Sequence, residues 1–330
     1  MHFFRNFHAE MRARGHELLI TVRAKEFSVD LLERSGLPYR LISVQRHGAF
    51  GLAREMLERS YRLMGITRAF KPDVLTGIMG PSIALVGKLL RVPAVIFYDT
   101  EFARQTNRFA YPLAYSVCTP DCYQEKVHGR HVTYPGYHEL AYLHPSRFTP
   151  DPSRLSAFGV QAAEPYFLLR FVSWKASHDR GEVGLTDDQK RRLATLLGGR
   201  GKIIITSEGP LPRDLEPLKL TGPLEDIHHL LAYAQMIVGE SATMASEAAV
   251  LGVPAVYIAT TSRGYVDDEE RRYGHVRHFT EAEFEQAVTA VGDFLARGPR
   301  EVGAAARQRL LGEKIDVTSW MIEYFEREIG

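Results

Sequence analysis

The stretch from Gly239 to Val256, GESATMASEAAVLGVPAV, predicts a turn out of a strand, a short helix and the start of a second strand. Gly239 lets the backbone turn sharply after the apolar residues that precede it. Ser241 or Thr243 is suited to cap the helix, which ends at Gly252 just before a proline. This succession is the repeating unit of a parallel α/β sheet.

The start of that helix has the chemistry of a nucleotide site. Backbone N–H groups at Ser241, Ala242 and Thr243 would lie at the positive end of the helix dipole, where a diphosphate binds readily. Glu247 lies one turn further along, where its carboxylate can accept both hydroxyls of a ribose. We therefore predict that Ser241, Ala242, Thr243 and Glu247 bind a nucleotide sugar. The alternative is an ordinary strand, helix and strand in which Ser and Thr serve only as caps.

The same stretch resembles the nucleotide-sugar site of GT-B enzymes, both the UDP-N-acetylglucosamine 2-epimerases and the N-acetylglucosaminyl transferase of peptidoglycan synthesis. In those families a Glu five residues before the Gly of a G-x-P turn holds the ribose. Glu247 stands five residues before Gly252, and Pro254 follows. Over nearly its whole length the chain also resembles a prokaryotic GT-B-like family of unknown function, most strongly in HFFRNF (2–7), RFVSWKASHD (170–179) and GESATMASEAAVLGVPA (239–255).

Length and composition indicate a globular protein of two domains. The chain has 330 residues, of which 45% are hydrophobic and 25% charged. A net charge of +1 provides no field to attract nucleic acid, so we expect no nucleic-acid partner. No apolar run approaches the roughly 18 residues that a bilayer span needs. We expect a cytoplasmic protein.

Strands and helices alternate along the chain, which predicts an α/β fold with doubly wound parallel sheets. The pattern breaks in a proline-rich segment between Glu139 and Pro165 and then restarts, so we place a domain boundary near residue 150. The resemblance implies a GT-B fold: a Rossmann-like acceptor domain (1–150), a Rossmann-like nucleotide-sugar domain (151–330) and a cleft between them. The last helix, near Val317 to Glu328, is expected to be able to cross back onto the first domain.

Loops at the carboxyl ends of two predicted strands carry the candidate catalytic residues. Asp99 and Glu101 follow the strand that ends at Tyr98, and a carboxylate there would act as general base or orient sugar hydroxyls. The alternative is a loop of surface ion pairs. Asn107 and Arg108, which follow, are similar to an Asn-Arg pair of the epimerases, and we include them in the nucleotide-sugar site.

The loop after Val172 reads SWKASHDRGEVG and contains His178, the best acid or base candidate in the chain because imidazole titrates near neutral pH. Its segment loosely resembles the His-Arg-Arg-Glu-Asn segment of the epimerases. Lys175 in this loop and Arg263 in a later one are candidates to meet phosphate, and an ordinary salt bridge is the alternative for Arg263. His228 and His229 are interpreted as surface or capping residues of a helix.

These residues together favour a UDP-sugar-dependent glycosyltransferase of envelope or exported polysaccharide synthesis. We expect no cofactor besides the UDP-sugar substrate and no metal, because no Asp-x-Asp-like ligand pair is present. The acceptor would be a sugar or a lipid-linked sugar. An arginine-bearing helix from about Ala49 to Phe70 either faces solvent or contacts anionic lipid at the inner face of the membrane.

Two other functions stay open. A UDP-N-acetylglucosamine 2-epimerase would use Glu101 and His178 as base and acid, but the carboxylate that such an enzyme is expected to carry after the strand ending at Ile78 is absent from TGIMGPS (76–82). A non-catalytic nucleotide-sugar-binding protein is the third interpretation.

The first residues raise a separate expectation. A GT-B amino-terminal domain normally begins with a strand, whereas here the first predicted helix carries Phe3, Phe4 and Phe7 almost at the start. Without a central strand, the sheet would expose the backbone groups of two neighbours. We therefore expect either that the reading frame extends about a dozen residues upstream of Met1, or that the sheet is rearranged around the missing strand.

Overall fold

The computed structural model describes residues 2–24, 32–33, 36–46, 48–101, 104–161, 163–173 and 184–328. It divides into two compact units, one made of Met1–Tyr142 with Ile315–Gly330 and the other of Leu143–Lys314. The division therefore falls a few residues before the position near 150 that the sequence indicates. The reason is local, since the Phe148 ring contacts His229 with centroids 4.8 Å apart and thereby ties this segment to the second unit.

The first unit alternates strands and helices as the sequence predicts. Its elements are α1 (His2–Ala13), β1 (Ile20–Ala24), β2 (Tyr39–Val44), α2 (Gly48–Phe70), β3 (Leu75–Ile78), α3 (Pro81–Leu90), β4 (Ala94–Phe97), α4 (Arg104–Ala110), β5 (Ser116–Pro120), β6 (His131–Tyr134) and α5 (Leu140–Leu143), the last at the junction of the units.

The strands of this unit form two sheets instead of one. β1 pairs only with β2, and β3 to β6 form a four-stranded sheet in chain order, all pairs being parallel. Within the described ranges, β1 and β3 thus each have one edge without a neighbouring strand. The described strands of the first unit therefore belong to two separate parallel sheets.

Aromatic side chains build the core of the first unit around Phe97 at the end of β4. Phe3 and Phe4 of α1 lie with ring centroids 5.2 and 5.7 Å from that of Phe97. Phe325, from the carboxyl-terminal residues, stacks on Phe97 at 6.3 Å. The amino-terminal helix and the end of the chain therefore cover the same strand.

The second unit is a complete doubly wound domain. Its elements are β7 (Tyr166–Phe171), α6 (Asp187–Gly198), β8 (Lys202–Ser207), α7 (Ile227–Tyr233), β9 (Ile237–Gly239), α8 (Ala242–Leu251), β10 (Ala255–Ile258), α9 (Gly264–Tyr273), β11 (Val276–Phe279), α10 (Phe284–Arg297) and α11 (Pro299–Glu313). The chain then returns to the first unit as α12 (Val317–Glu328).

The five strands of the second unit are parallel and lie in the order β11-β10-β9-β7-β8. β8 follows β7 on one side, and the next strand, β9, lies on the other side of β7. The strand order therefore reverses beside β7. In open α/β sheets, ligands bind outside the carboxyl ends of the strands at such a reversal. The start of α8, just after β9, lies at this place.

Candidate functional site

The turn from β9 into α8 requires the glycine that the sequence places there. A Cβ at Gly239 would overlap the carbonyl group of Arg170, because β9 lies directly against β7. Ser241 then caps α8, its Oγ accepting a hydrogen bond from the Met244 N–H at 3.3 Å. The helix ends at Gly252, whose φ of 77° is a left-handed conformation. The strand, cap and helix predicted for this stretch are confirmed.

Of the residues predicted to meet a diphosphate here, Ser241, Ala242 and Thr243 occupy the cap and the first turn of α8. Ala242 is buried, Ser241 half-buried and Thr243 exposed. The first-turn amides of a helix lie at the positive end of its dipole and have no acceptor inside the helix. This arrangement suits an anion, and the binding itself stays a prediction.

Glu240, directly before the cap, binds two backbone segments next to this turn. Its buried carboxylate accepts hydrogen bonds from the backbone N–H groups of Val172 at 2.9 Å and Leu185 at 2.6 Å. Those two residues flank the loop that carries Lys175 and His178, which both lie outside the described residues. Glu240 therefore anchors both sides of that loop beside the start of α8. No sequence pattern indicated this role of Glu240.

Glu247 lies on α8 one turn beyond Thr243, as predicted, and its carboxylate is buried with His228. His228 Nε2 lies 2.9 Å from Glu247 Oε1, and the two residues are only 6% and 7% exposed. The interpretation of His228 as a surface or capping residue is therefore wrong, because its side chain turns inward from α7 towards α8. His229 is half-buried and accepts a hydrogen bond from the Asp151 N–H at 3.0 Å.

Arg263 follows β10 and precedes α9, also at the carboxyl edge of this sheet. Its guanidinium donates to the Thr261 hydroxyl and the Ser262 carbonyl group, both at 3.0 Å. The side chain is thus folded back onto its own loop. A role in phosphate binding would require these local hydrogen bonds to be exchanged, and it stays a prediction.

In the first unit, Asp99 pairs with a histidine that the sequence analysis missed. His138 Nδ1 lies 2.9 Å from Asp99 Oδ2. Burial acts to raise the pKa of Asp99, but the charge of His138 and hydrogen bonds from His138 and Thr100 hold it below its ordinary value. An ionised carboxylate bonded to Nδ1 leaves Nε2 as the imidazole atom for acid–base exchange.

The other nitrogen of His138 is buried and has no hydrogen-bond partner among the described residues. The ring of Phe3 covers the imidazole with centroids 4.2 Å apart, and the Tyr134 ring stacks on it at 6.4 Å. Asp99 thus orients a histidine that is enclosed by aromatic rings. Its predicted catalytic role is untested.

The remaining candidates of the first unit lie around Tyr123. Glu101 Oε1 accepts a long hydrogen bond of 3.4 Å from the Gln124 N–H. Asn107 is buried and donates to the Tyr123 hydroxyl, also at 3.4 Å, whereas Arg108 is exposed. Asn107 therefore has a structural partner in its own unit, and a role of Asn107 and Arg108 in nucleotide-sugar binding stays a prediction.

The described ranges contain neither a metal-ligand cluster nor a membrane-spanning helix. In them, no three His, Cys, Asp or Glu side chains converge where they could hold a metal ion. No helix in these ranges is long and apolar enough to cross a bilayer. Independence from metal stays a prediction.

Solved structures of the GT-B class are similar to this chain along almost its full length. The UDP-GlcNAc 2-epimerase from Neisseria meningitidis bound to UDP-GlcNAc is 13% identical with a TM-score of 0.66, covering 98% of this chain and 96% of its own. Acinetobacter baumannii MurG is 15% identical with a TM-score of 0.58, at 97% and 94% coverage. The spinosyn forosaminyltransferase SpnP is 14% identical with a TM-score of 0.60, at 96% and 94%.

Sequence comparison gives no closer relationship, since no protein-family model matches the chain and no curated protein matches it significantly. At 11–15% identity the structural likeness concerns the fold. The chain thus has the fold of the GT-B proteins, two Rossmann-like α/β domains, as the sequence predicted.

Proposed function

We propose that this protein is a UDP-sugar-dependent glycosyltransferase of envelope or exported polysaccharide synthesis. The observation that carries the proposal is the position of Glu247 on α8, one turn beyond Thr243, with its carboxylate hydrogen-bonded to His228. A diphosphate at the start of α8 would bring the attached ribose within reach of that carboxylate. GT-B folding of the whole chain is consistent with this use of the second unit.

In the proposed reaction, an acceptor hydroxyl attacks the anomeric carbon of the donor sugar. The bond from that carbon to the diphosphate oxygen breaks, and UDP leaves with the electron pair. The first-turn amides of α8 stabilise the charge that develops on the diphosphate. His178 is the proposed base that takes the hydroxyl proton, because Val172 and Leu185, which flank its loop in the sequence, both bind Glu240 next to this turn.

The first unit is proposed to take the acceptor, a sugar or a lipid-linked sugar. Asp99 and Glu101 are its candidate acid–base and orienting groups. The lowered pKa of Asp99 and the hydrogen bond of its carboxylate to His138 favour an orienting role for this residue. A carboxylate that stays ionised fixes the tautomer of its histidine partner better than it takes up a proton.

Calorimetric titration with UDP and with UDP-N-acetylglucosamine tests the proposal. We expect both to bind wild-type protein and Glu247→Ala to weaken binding at least about tenfold, because charge-assisted hydrogen bonds to the ribose are lost. Glu164→Ala, the same change at an exposed position of the second unit, should bind like wild type. Absence of binding by every nucleoside diphosphate would refute the proposal.

Incubation with UDP-N-acetylglucosamine in deuterated water distinguishes transfer from epimerisation. A transferase leaves C2 of the sugar unlabelled, whereas a 2-epimerase exchanges its proton with solvent. We expect no deuterium at C2, because β3 ends at Ile78 and the residues after it, Met79 to Ser82, include no carboxylate. Tight UDP binding without turnover for any acceptor would instead support a non-catalytic binding protein.

A further inference from the structure

The hydrogen bond between His228 and Glu247 joins two elements that the sequence alone does not connect. His228 is on α7 and Glu247 on α8, and their side-chain atoms lie 2.9 Å apart with both residues more than nine-tenths buried. When Glu247 is ionised its carboxylate only accepts hydrogen bonds, and Nε2–H of the imidazole is then the donor. A carboxylate has about four lone-pair sites, and this bond occupies one of them.

The imidazole also contacts an aromatic ring. The Phe148 ring meets the His228 ring edge to face, with centroids 6.2 Å apart and planes at 78°. Phe148 also contacts the neighbouring His229 at 4.8 Å. A buried ring with one aromatic neighbour and one charged acceptor has little freedom to rotate. The Glu247 carboxylate is therefore fixed in direction as well as in depth.

His228 also lies close in sequence to a short turn that carries an exposed apolar side chain. The residues before α7 form a turn, Pro223 to Asp226, in which the Leu224 side chain is 53% exposed. α7 begins at Ile227, so His228 is in its first helical turn. It thus links the exposed apolar turn before α7 to the carboxylate on α8. A nucleoside can place its base against an apolar surface and its sugar hydroxyls against an anionic group.

We propose that His228 is the positioning residue that aims Glu247 at the ribose, and that through it the site selects ribonucleoside diphosphates over deoxyribonucleoside diphosphates. This inference rests on the proposed function, because it needs Glu247 to hold the ribose. A carboxylate that is aimed and partly desolvated binds a ribose hydroxyl strongly. The same carboxylate is left without that partner when a deoxyribose binds.

The test compares the affinities for UDP and 2′-deoxy-UDP in variants that keep or lose the hydrogen-bond donor at position 228. His228→Gln keeps an N–H donor at the same number of bonds from Cβ, and His228→Leu removes it while keeping an apolar side chain against Phe148. We expect wild type and His228→Gln to prefer UDP by about tenfold or more. We expect His228→Leu to bind UDP less than about threefold more tightly than 2′-deoxy-UDP. Thermal unfolding confirms that each variant is folded.

The neighbouring histidine supplies a matched control. His229→Leu loses a ring that also contacts Phe148 but does not bond Glu247, so its preference for UDP should equal that of wild type. If His228→Leu does not fold, His228→Met, which likewise has no N–H donor, takes its place, and its preference should fall likewise. A preference unchanged in whichever of these donor-free variants is folded overturns this inference alone. Failure of wild type to bind UDP overturns it together with the proposed function.

Discussion

Glu269, on α9, is a carboxyl group buried completely in the second unit. It is 0% exposed, and its Oε1 accepts a hydrogen bond of 2.6 Å from the Ser246 hydroxyl on α8. Its pKa is raised from 4.5 to about 8, mainly by burial and also by the charge of Asp268, while Ser246 and Lys314 act in the opposite direction. Glu269 is therefore protonated at neutral pH, when it can donate a hydrogen bond as well as accept one.

This raised pKa makes the free energy of unfolding depend on pH. Between about pH 4.5 and pH 8 the folded protein keeps a proton that the unfolded chain releases. The stabilising contribution is therefore complete below pH 4.5 and is lost as pH rises through about 8. We expect Glu269→Gln, which cannot ionise, to gain stability relative to wild type as pH rises across this window.

Urea unfolding of both proteins at several pH values in that window measures the difference. Glu164→Gln is the control, because an exposed carboxyl group should give no such slope. A constant difference between Glu269→Gln and wild type would contradict the prediction.

Spacing along the chain located single residues only when their partners were near in sequence. The Ser241 cap and the place of Glu247 on α8 follow from one short stretch, and both are confirmed. His228 and His138 were missed as partners of carboxylates 19 and 39 residues away, Glu247 and Asp99. Helical periodicity says which residues share a face but not which element that face meets.

At the scale of elements, α2 presents an apolar stripe to solvent. Phe50, Leu57 and Tyr61 are 95%, 68% and 80% exposed, and their spacing places them on one side of the helix. Exposed Arg54 and Arg68 fall on the same side by the same spacing. The helix was predicted from Ala49 to Phe70 and spans Gly48 to Phe70, but which of its apolar residues are buried could not be predicted from periodicity.

Such a basic and aromatic stripe suits an anionic lipid surface, one of the two interpretations of this helix. We expect the protein to co-sediment with vesicles that contain phosphatidylglycerol and to bind them less in high salt. The triple change Phe50→Ser, Leu57→Ser and Tyr61→Ser should weaken this binding at least about tenfold, since it removes most of the apolar surface that would enter the interface.

Leu89→Ser, at a similarly exposed leucine of α3, is the control and should bind like wild type. Equal binding by the triple variant and wild type would show that the stripe does not meet lipid.

At the scale of the whole molecule, alternation of strands and helices was enough to predict two doubly wound units. This alternation does not predict the order of strands within a sheet, because β7, the first strand of its unit, lies between β8 and β9. The two units divide after Tyr142, a few residues before the predicted position near 150, and Phe148 contacts His229 of the second unit. The last helix belongs to the first unit through contacts that only folding brings together, such as the Thr318 hydroxyl on the Ala141 carbonyl group at 2.7 Å.

The interrupted sheet of the first unit has a consequence for how the purified protein behaves at high concentration. β1 and β3 each carry an edge that pairs with no other strand in the described part of the chain. Ile78 at the end of β3 is 44% exposed, so this edge has an apolar side chain and no charge that would discourage a second strand. Open edges of this kind pair with the edges of other molecules.

We therefore expect slow, concentration-dependent self-association that light scattering detects at micromolar to millimolar protein. Ile78→Lys should suppress it, because a lysine on an edge strand repels its copy in the facing molecule and would have to be desolvated. Leu89→Lys introduces the same charge on a helix and should leave the association rate near that of wild type. Equal suppression by both variants would mean that added net charge, and not the strand edge, governs the solubility of the protein.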